Sequence, residues 1–335
     1  MFKGKRNLFI SGGTFGHIYP ALMMQTLFSG DLYLDEDSRR FMSEEINIEK
    51  DGLSKIRFLE GYKTYNIYKI FTRWVLFWNL FRNYDNIIIF GGFSGFWAIV
   101  PSVFSFKKFF FHEQNAVLGL VNRISCYFLF QPLLSFEKTR GLPIFKRKPI
   151  VFGYPIESKI ERIIYQNDCR EKILLVMPGS LGSAFFDENI AEMIKDFDCK
   201  IYFVARNVEK VREIFKNRKQ YTEVSSFFFH IDDLIQKCDL LLCRSGAGTI
   251  AKILNYKKTA ILVPLEHSSH DHQRINAKIS GLEFLEERDI LKDSDIFKKN
   301  IEQAFKSNSE YIKDRNFKFK STMRIVIVRK LNIRE

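Results

Sequence analysis

The stretch LFISGGTFGHIYPAL at residues 8–22 joins a short apolar run to a glycine-rich turn that ends in His17. Such a turn is typical of a strand that leads into a phosphate-binding loop, where helix N-terminal N–H groups hold an anion. Phe15 is bulky for such a loop. A histidine can take up or release a proton near neutral pH. The stretch therefore suggests two hypotheses, a phosphate loop and a catalytic histidine.

Five further polar or glycine-rich segments also follow apolar runs. They are GGFSG (91–95), HEQN (112–115), PGSLGS (178–183), CRSGAGT (243–249) and PLEHSSHDHQ (264–273). In open α/β sheets, ligands bind at the carboxyl ends of the strands. Backbone N–H groups there can hold a diphosphate without a metal. One such turn alone is a common structural feature, whereas six together predict a nucleotide or nucleotide-sugar site.

Short apolar runs carry these segments and are continuous rather than alternating. Such runs are typical of strands that are covered on both faces of a sheet. The predicted strands are 7–11, 86–92, 108–114, 149–155, 172–180, 200–206, 239–246 and 259–265. Helical patterns, including 184–196 and 247–255, lie between them. The alternation predicts an α/β protein with parallel sheets.

The pattern begins twice, once at the start of the chain and again near residue 172. The 335 residues are enough for two domains that each bury a core. The charged stretch after Pro155 marks the boundary between them. We predict a first domain over residues 1–155, a second over residues 165–308 and a C-terminal segment over residues 309–335.

The composition restricts the kind of partner. A formal net charge of +13 favours an anionic partner such as nucleic acid, a membrane surface or a phosphorylated substrate, although a solvated basic surface also accounts for it. The five cysteines form no CxxC pair, which argues against a disulfide framework or a zinc site and favours a reducing cytosolic setting. No stretch approaches the roughly 20 apolar residues that span a bilayer.

Six blocks of the chain resemble, in order and spacing, the MurG family of peptidoglycan glycosyltransferases, within glycosyltransferase family 28. The blocks are SGGTFGHIYPAL, FHEQNAVLGLVNR, PGSLGSAFFDEN, FFHIDDL, CRSGAGT and DHQRINA. The resemblance covers residues 5 to 330 and is most specific in HEQNAVLGLVNR and CRSG. It implies the GT-B fold, in which two Rossmann-like, doubly wound parallel-sheet domains face a cleft.

The resemblance also implies a reaction and a role for each domain. The family moves N-acetylglucosamine, with inversion, from UDP-N-acetylglucosamine to the 4-hydroxyl of undecaprenyl-diphosphate-linked muramyl-pentapeptide. Residues 1–155 would then bind the lipid acceptor and the membrane, and residues 165–308 would bind the UDP sugar. The segment 309–335 would return to the first domain. No cofactor is implied, and no acidic pair stands out as a metal site.

The donor contacts of the family can be transferred to matching residues of this sequence. In the first loop they are Thr14, Phe15 and Gly16, and Asn115 matches an asparagine that contacts the sugar. Ser180 matches a serine near the donor diphosphate.

The remaining donor contacts match residues of the second half. Ile231 matches the residue whose backbone contacts the uracil edge. The residues that match the loop around the diphosphate are Ala247, Gly248 and Thr249. Gln273, with His272 beside it, matches a glutamine pair near the sugar hydroxyls.

An inverting transfer needs a base for the attacking hydroxyl and positive potential for the leaving diphosphate. We predict His17 as the base, with a structural role in holding the first loop as the alternative. Glu113 is the competing candidate, which could act as the base or orient the neighbouring loop.

Two positions depart from the family pattern. Lys252 stands where the family has a glutamate that binds both ribose hydroxyls, and a lysine cannot accept hydrogen bonds from them. Glu157, in GYPIE, stands where the family has an arginine that contacts the donor. Lys252 could compensate in part for the missing arginine. These changes leave the selectivity for the donor open.

The segment 63–82 is rich in aromatic and basic residues and has no acidic residue. The aromatic residues that we predict to contact a membrane are Phe71, Trp74, Phe77, Trp78 and Phe81. A helix of this composition suits the surface of an anionic membrane, and a core helix with a basic edge is the alternative. We therefore expect a peripheral protein on the cytoplasmic face of the membrane.

Two other functions remain open at this stage. One is a related GT-B transferase with a shifted donor or acceptor, and the other is a non-catalytic nucleotide- or lipid-binding protein. We expect no nucleic-acid partner, because the aromatic residues cluster in one apolar helix rather than on a basic sheet face.

Overall fold

The computed structural model describes residues 1–39, 56–59, 67–128, 130–144, 147–157, 171–179, 181–228, 230–268, 271–313 and 322–328. Of residues 67–70, 93–94 and 307–313, it describes only the backbone. The chain divides into two compact units, Met1–Lys159 together with Met323–Glu335, and Ile160–Thr322.

Strands and helices alternate in the described part of the first unit. Its strands are β1 Asn7–Ser11, β2 Asp31–Asp35, β3 Ile56–Leu59, β4 Asn86–Ile89, β5 Lys108–Glu113, β6 Gln131–Leu134, β7 Ile150–Val151, β8 Tyr154–Glu157 and, near the C-terminus, β15 Ile325–Val328. Its helices are α1 Phe15–Phe28, α2 Ile67–Phe81, α3 Gly92–Ser105 and α4 Leu120–Ser125, with short 3₁₀ helices at Glu36–Ser38 and Cys126–Phe128.

Seven strands of the first unit form one sheet in the order β3-β2-β1-β4-β5-β6-β7, and every pairing is parallel. Leu8 and Ile10 of β1 belong to an apolar cluster with residues of α2 and α3. Phe9, between them, belongs to a second cluster with residues of α1. Because successive side chains of a strand point to opposite faces, both faces are covered, and this explains the continuous apolar run.

The second unit repeats this arrangement. Its strands are β9 Ile173–Met177, β10 Lys200–Val204, β11 Thr222–Ser225, β12 Leu240–Cys243, β13 Ala260–Leu262 and β14 Glu283–Phe284. Its helices are α5 Ala191–Ile194, which continues a π-helical segment at Phe186–Ile190, α6 Val208–Ile214, α7 Ile231–Lys237, α8 Ala247–Tyr256, α9 His272–Ser280, α10 Glu287–Lys292 and α11 Ser294–Lys313.

The six strands of the second unit pair in parallel in the order β11-β10-β9-β12-β13-β14. In both units the order of the strands reverses between the first strand and the fourth. A ligand of an open α/β sheet binds at the carboxyl ends of the strands beside such a reversal. The predicted α/β class with two Rossmann-like, doubly wound domains is confirmed.

A separate two-stranded sheet joins the C-terminal segment to the first unit. In it, β15 pairs in parallel with β8, and the N–H of Tyr154 donates to the carbonyl of Arg324 at 2.8 Å. Gly153, at φ +106°, precedes β8, and a Cβ there would lie 3.1 Å from Val326 and 3.2 Å from the backbone of Arg324. The close approach of the two segments therefore needs glycine at this position.

One prediction about α2 is wrong. Phe77 and Phe81 do not face a membrane, because they are 1% and 0% exposed and pack in the same core as Leu8 and Ile10. Trp74 is half-buried against that core. A helix that lies on a sheet must bury one face, and a helix with apolar residues on nearly every side does not reveal which face that is.

Candidate functional site

The first loop lies at the carboxyl end of β1 and leads directly into α1. Thr14 and Gly16 are exposed, and Phe15 is half-buried with its ring 5.7 Å from that of Tyr19. The N–H of His17 donates to the carbonyl of Thr14 at 2.9 Å. Phe15 therefore packs within its own unit, whereas Thr14 and Gly16 leave the backbone of the loop exposed at the end of β1.

His17 lies against the segment that follows β4. Its Nδ1 is 2.5 Å from the carbonyl oxygen of Phe90, and a Cβ built on Gly91 would come within 3.1 Å of the same nitrogen. A carbonyl oxygen only accepts, so Nδ1 carries the proton and donates it to Phe90. In the neutral ring, Nε2 then has the lone pair that a general base needs.

Gln114, which sequence reasoning did not select, also contacts this ring. Its side-chain amide nitrogen lies 2.8 Å from Nδ1 and 3.5 Å from Nε2 of His17. Because Nδ1 already carries a proton, the amide N–H of Gln114 can donate only to Nε2. The loops after β1, β4 and β5 thus meet at one imidazole. The only signal for Gln114 in the sequence is its place in HEQN, between two selected residues.

Glu113 is the last residue of β5 and is almost completely buried, at 1% exposure. Its Oε1 accepts from the backbone N–H of Asn115 at 3.0 Å, and its Oε2 accepts from the N–H of Gly119 at 2.8 Å and from Nδ2 of Asn122 at 2.9 Å. Burial raises the pKa of this carboxyl, and the hydrogen bonds from Gly119 and Asn115 oppose that rise. The geometry favours the second of its two expected roles, the orientation of the loop.

Asn115, the predicted sugar contact, is held by that carboxylate. Its Nδ2 lies 3.4 Å from Oε1 of Glu113, in addition to the backbone contact, and its side chain is half-buried. The structure therefore gathers His17, Glu113 and Asn115 around the carboxyl ends of β1, β4 and β5.

His112 lies on β5, beneath this group, and is fully buried. Its Nε2 lies 3.0 Å from the carbonyl oxygen of Gly153 and donates to it. Burial lowers the pKa of His112 to about 4, and the Gly153 carbonyl opposes that effect. The neutral ring thus joins β5 to the segment that leads into β8.

In the second unit, Arg244 connects the loops at the carboxyl edge, although sequence reasoning did not select it. It follows β12 and is 4% exposed. Its Nη1 donates to the carbonyls of Val263 and Pro264 at 3.1 and 3.2 Å, and its Nη2 donates to Oγ of Ser183 at 2.7 Å. It also pairs with Glu287. The buried guanidinium thus joins the segments after β9, β12 and β13.

The helix that follows Arg244 begins with the predicted diphosphate loop. Gly246 is the N-cap residue of α8 and, as a glycine, has no side chain that could cap the helix. The first backbone bond in the helix runs from Ile250 to Gly246 at 3.0 Å, and the structure shows no partner among the described residues for the N–H groups of Ala247, Gly248 and Thr249. Three N–H groups at the positive end of a helix form a suitable site for an anion.

Gln273 lies next to this loop, in the first turn of α9. Its Oε1 accepts from the N–H of Leu265 at 3.0 Å, and its carbonyl accepts from Oγ of Ser245 at 2.8 Å. His272, beside it, is half-buried. These contacts bring the segments after β12 and β13 together around the start of α8.

Lys252 does not stand alone at the altered ribose position. Its Nζ lies 2.7 Å from Oδ1 of Asp232, and the two side chains are 20% and 29% exposed. Asp232 follows Ile231, the first residue of α7 and the predicted uracil contact. Sequence reasoning missed Asp232, because nothing in the sequence around Lys252 marks its ionic partner.

Two selected residues remain to be placed. Ser180 lies outside the described residues. Glu157 ends β8 in the first unit, where its backbone N–H donates to the hydroxyl of Tyr19 at 3.3 Å.

We expect the stability of the protein to fall in mild acid because of His112. The pKa of His112 is about 4 in the folded chain and 6.5 ordinarily, so its neutral ring contributes fully above pH 6.5 and progressively less down to pH 4. In the wild type, the free energy of unfolding should rise by about 3 kcal/mol between pH 4 and pH 6.5 because of this residue, and the variant His112→Gln should lack that rise. Urea unfolding at several pH values measures it. The exposed residue His230 supplies the control, His230→Gln, which should keep the wild-type slope. An unchanged slope in His112→Gln would contradict the assignment.

Comparison with known proteins identifies the family. Residues 8–130 match the glycosyltransferase family 28 N-terminal domain, and residues 173–313 match the glycosyltransferase family 28 C-terminal domain. The two matches together account for well over half of the chain.

Relatives are similar to this chain along most of their length. A "UDP-N-acetylglucosamine--N-acetylmuramyl-(pentapeptide) pyrophosphoryl-undecaprenol N-acetylglucosamine transferase" of Fusobacterium nucleatum is 26% identical over 294 residues, which are 79% of each chain. The protein of the same name from Bartonella henselae is 27% identical over 316 residues, covering 84% of this chain and 80% of its own.

Solved structures agree in fold. MurG of Acinetobacter baumannii has a TM-score of 0.69 at 18% identity, covering 95% of this chain and 97% of its own. A UDP-GlcNAc 2-epimerase of Neisseria meningitidis, bound to UDP-GlcNAc, has a TM-score of 0.61 at 12% identity, with coverage of 94% and 95%. Since both domain models match in order, this chain belongs to glycosyltransferase family 28.

Proposed function

We propose that this chain transfers N-acetylglucosamine from UDP-N-acetylglucosamine to the 4-hydroxyl of an undecaprenyl-diphosphate-linked muramyl-pentapeptide, a step of peptidoglycan synthesis. The observation that carries the proposal is the similarity to relatives of that name along 79–84% of the chain. The open first turn of α8 supports it, because such a turn suits the diphosphate of a sugar nucleotide.

The second unit binds the donor in this proposal. The N–H groups of Ala247, Gly248 and Thr249 hold the diphosphate, and the backbone of Ile231 contacts the uracil edge. Gln273 and His272 contact the sugar hydroxyls. Arg244 lies too deep to reach the ligand, and its role is to keep these loops in place. The charge of the leaving UDP is stabilised by N–H groups fixed before the reaction, which need not reorganise.

The first unit supplies the base and the acceptor site. The muramyl hydroxyl oxygen attacks the anomeric carbon, the bond from that carbon to the UDP oxygen breaks, and Nε2 of His17 takes the hydroxyl proton. The contact of Nδ1 with Phe90, at 2.5 Å, keeps the lone pair on Nε2. Asn115 and the first loop contact the transferred sugar, and Glu113 positions Asn115. This scheme needs neither a cofactor nor a metal ion.

A different donor or acceptor is the second candidate, because Lys252 and Glu157 reverse the charge at two donor contacts. The expected result of the decisive assay is transfer of labelled N-acetylglucosamine from UDP to a lipid-linked muramyl-pentapeptide. Turnover with another UDP sugar but not with this one would favour the second candidate. Binding of UDP sugars without turnover would favour a non-catalytic nucleotide-binding protein.

The exposed face of α2 and α3 supports contact with a membrane. Phe71 is 62% exposed and Trp78 is 40% exposed, and the indole N–H of Trp78 reaches the carbonyl of Phe104 at 3.4 Å. The other exposed apolar side chains of this region are Val75, Leu76, Phe96, Val103, Phe104 and Phe106. We call this set, with Phe71 and Trp78, the α2–α3 patch.

Basic residues accompany the patch. Arg82 lies over the ring of Trp78 at 5.4 Å, and Lys107 and Lys108 follow Phe106. In the described part of the chain, no helix has the length and apolar character to cross a membrane. Exposed aromatic rings next to cations suit the interface of an anionic membrane, which supports peripheral binding of the protein to such a membrane. We propose that it binds on the cytoplasmic face, as the resemblance to the MurG family implies.

Replacing exposed members of the α2–α3 patch should weaken this binding. The double variant Phe71→Ser with Trp78→Ser removes apolar area without a change in charge, and we expect several-fold weaker binding to vesicles that contain phosphatidylglycerol. Leu291 and Ile296, which are exposed in the second unit, give a matched control, Leu291→Ser with Ile296→Ser. Sedimentation with vesicles measures the effect. Equal binding by a folded double variant and the wild type would show that this patch does not contact lipid.

A further inference from the structure

We propose that Asp232, held by Lys252, is the acceptor for the ribose hydroxyls of the nucleotide. The inference rests on the proposed function, since it assigns the ribose contact of the UDP-sugar site in the second unit. It gives Lys252 a positioning role.

The two anchors of the nucleotide define where its ribose must lie. The diphosphate is assigned to the first turn of α8 and the uracil to the start of α7. The ribose is the covalent link between these two groups. Lys252 lies five residues after Ala247, which is about 7 Å along a helix axis, and Asp232 directly follows Ile231. The ion pair therefore lies between the two anchors, at the level of the ribose.

The chemistry of the pair fits a vicinal diol. Two neighbouring hydroxyls are bound most firmly by a carboxylate, which only accepts, whereas an ammonium only donates. Oδ1 of Asp232 lies 2.7 Å from Nζ of Lys252 in an ion pair and has no hydrogen bond with any described residue. Oδ2 is not part of this contact. Oδ2 can therefore accept from a hydroxyl while Oδ1 remains paired.

Burial favours a fixed geometry of the pair. Both side chains are mostly buried, at 29% and 20% exposure, so the carboxylate is held in place before the ligand arrives. A group that is already ordered loses little conformational entropy on binding. Lys252 cannot itself accept hydrogen bonds from the ribose, but it holds Asp232 of the neighbouring helix in a position to accept them.

Ligands that differ only in the ribose hydroxyls test this assignment. We would measure the binding of UDP and of 2′,3′-dideoxy-UDP to the full chain by titration calorimetry. The wild type should prefer UDP by about 10- to 100-fold, the range expected for hydrogen bonds to a charged group. Asp232→Asn should lose most of that preference while its affinity for the dideoxy compound stays within about threefold of the wild type.

Neighbouring variants complete the test. Asp233→Asn removes the same charge from the next residue of α7, away from Lys252, and should keep the wild-type preference. Lys252→Met leaves the carboxylate without its ammonium and should reduce the preference for UDP, which provides a second measurement if Asp232→Asn does not fold.

Three results would overturn the inference. Two of them are equal binding of both ligands by the wild type and an unchanged preference for UDP in both Asp232→Asn and Lys252→Met. The third, no binding of UDP by the folded wild type, would overturn the proposed function as well, and only this result affects both.

Discussion

The carboxylate of Glu113 holds the first unit's site together. A carboxyl at 1% exposure is stable there because its two oxygens accept from the backbone of Asn115 and Gly119 and from the side chain of Asn122. An N–H left without its acceptor in such a place costs about 1–3 kcal/mol. The loop after β5 therefore has one low-energy arrangement, and Gln114 and Asn115 are fixed with it.

In the second unit, a buried cation rather than a carboxylate fixes the loops at the carboxyl edge of the sheet. Its loops expose carbonyl oxygens at the ends of β12 and β13, and the guanidinium of Arg244 donates to two of them and to Ser183. Burial lowers the pKa of this arginine, and Glu287 opposes that effect. Because Arg244 connects the loops from beneath, the N–H groups at the start of α8 remain available to a ligand. In each unit a buried charge organises the loops, and the residues next to it are left to bind.

Much of this arrangement could be predicted from the sequence, for a physical reason. Strands such as β1, β4 and β9 are covered on both faces, so their runs are continuously apolar and easy to recognise. The strands β6, which contains Pro132, and β11, which is the polar edge TEVS, lack that signal and were not predicted. The position of a glycine or histidine after a strand indicated which loops lie at the carboxyl edge of each sheet, since parallel strands end at the same edge.

The partners of buried charges could not be predicted in the same way. Arg244 and Asp232 contact residues that are distant in sequence, and an acid or a base carries no mark of its partner in the chain. The face of α2 was ambiguous for a related reason, since Phe77 and Phe71 are equally apolar but lie on opposite sides of the core boundary. The periodicity of apolar residues predicts that such a helix exists, but only its packing in the fold determines which side is buried.

The central claim is that His17 takes the proton of the acceptor hydroxyl, while Glu113 holds the loop after β5 in place. The pH dependence of kcat in the wild type, Glu113→Gln and His17→Ala tests it most directly. The account predicts that Glu113→Gln lowers kcat but keeps the loss of activity on the acid side. His17→Ala should lose that acid limb together with about 10²- to 10⁴-fold in kcat. An acid limb that disappears in folded Glu113→Gln and persists in His17→Ala would contradict the account.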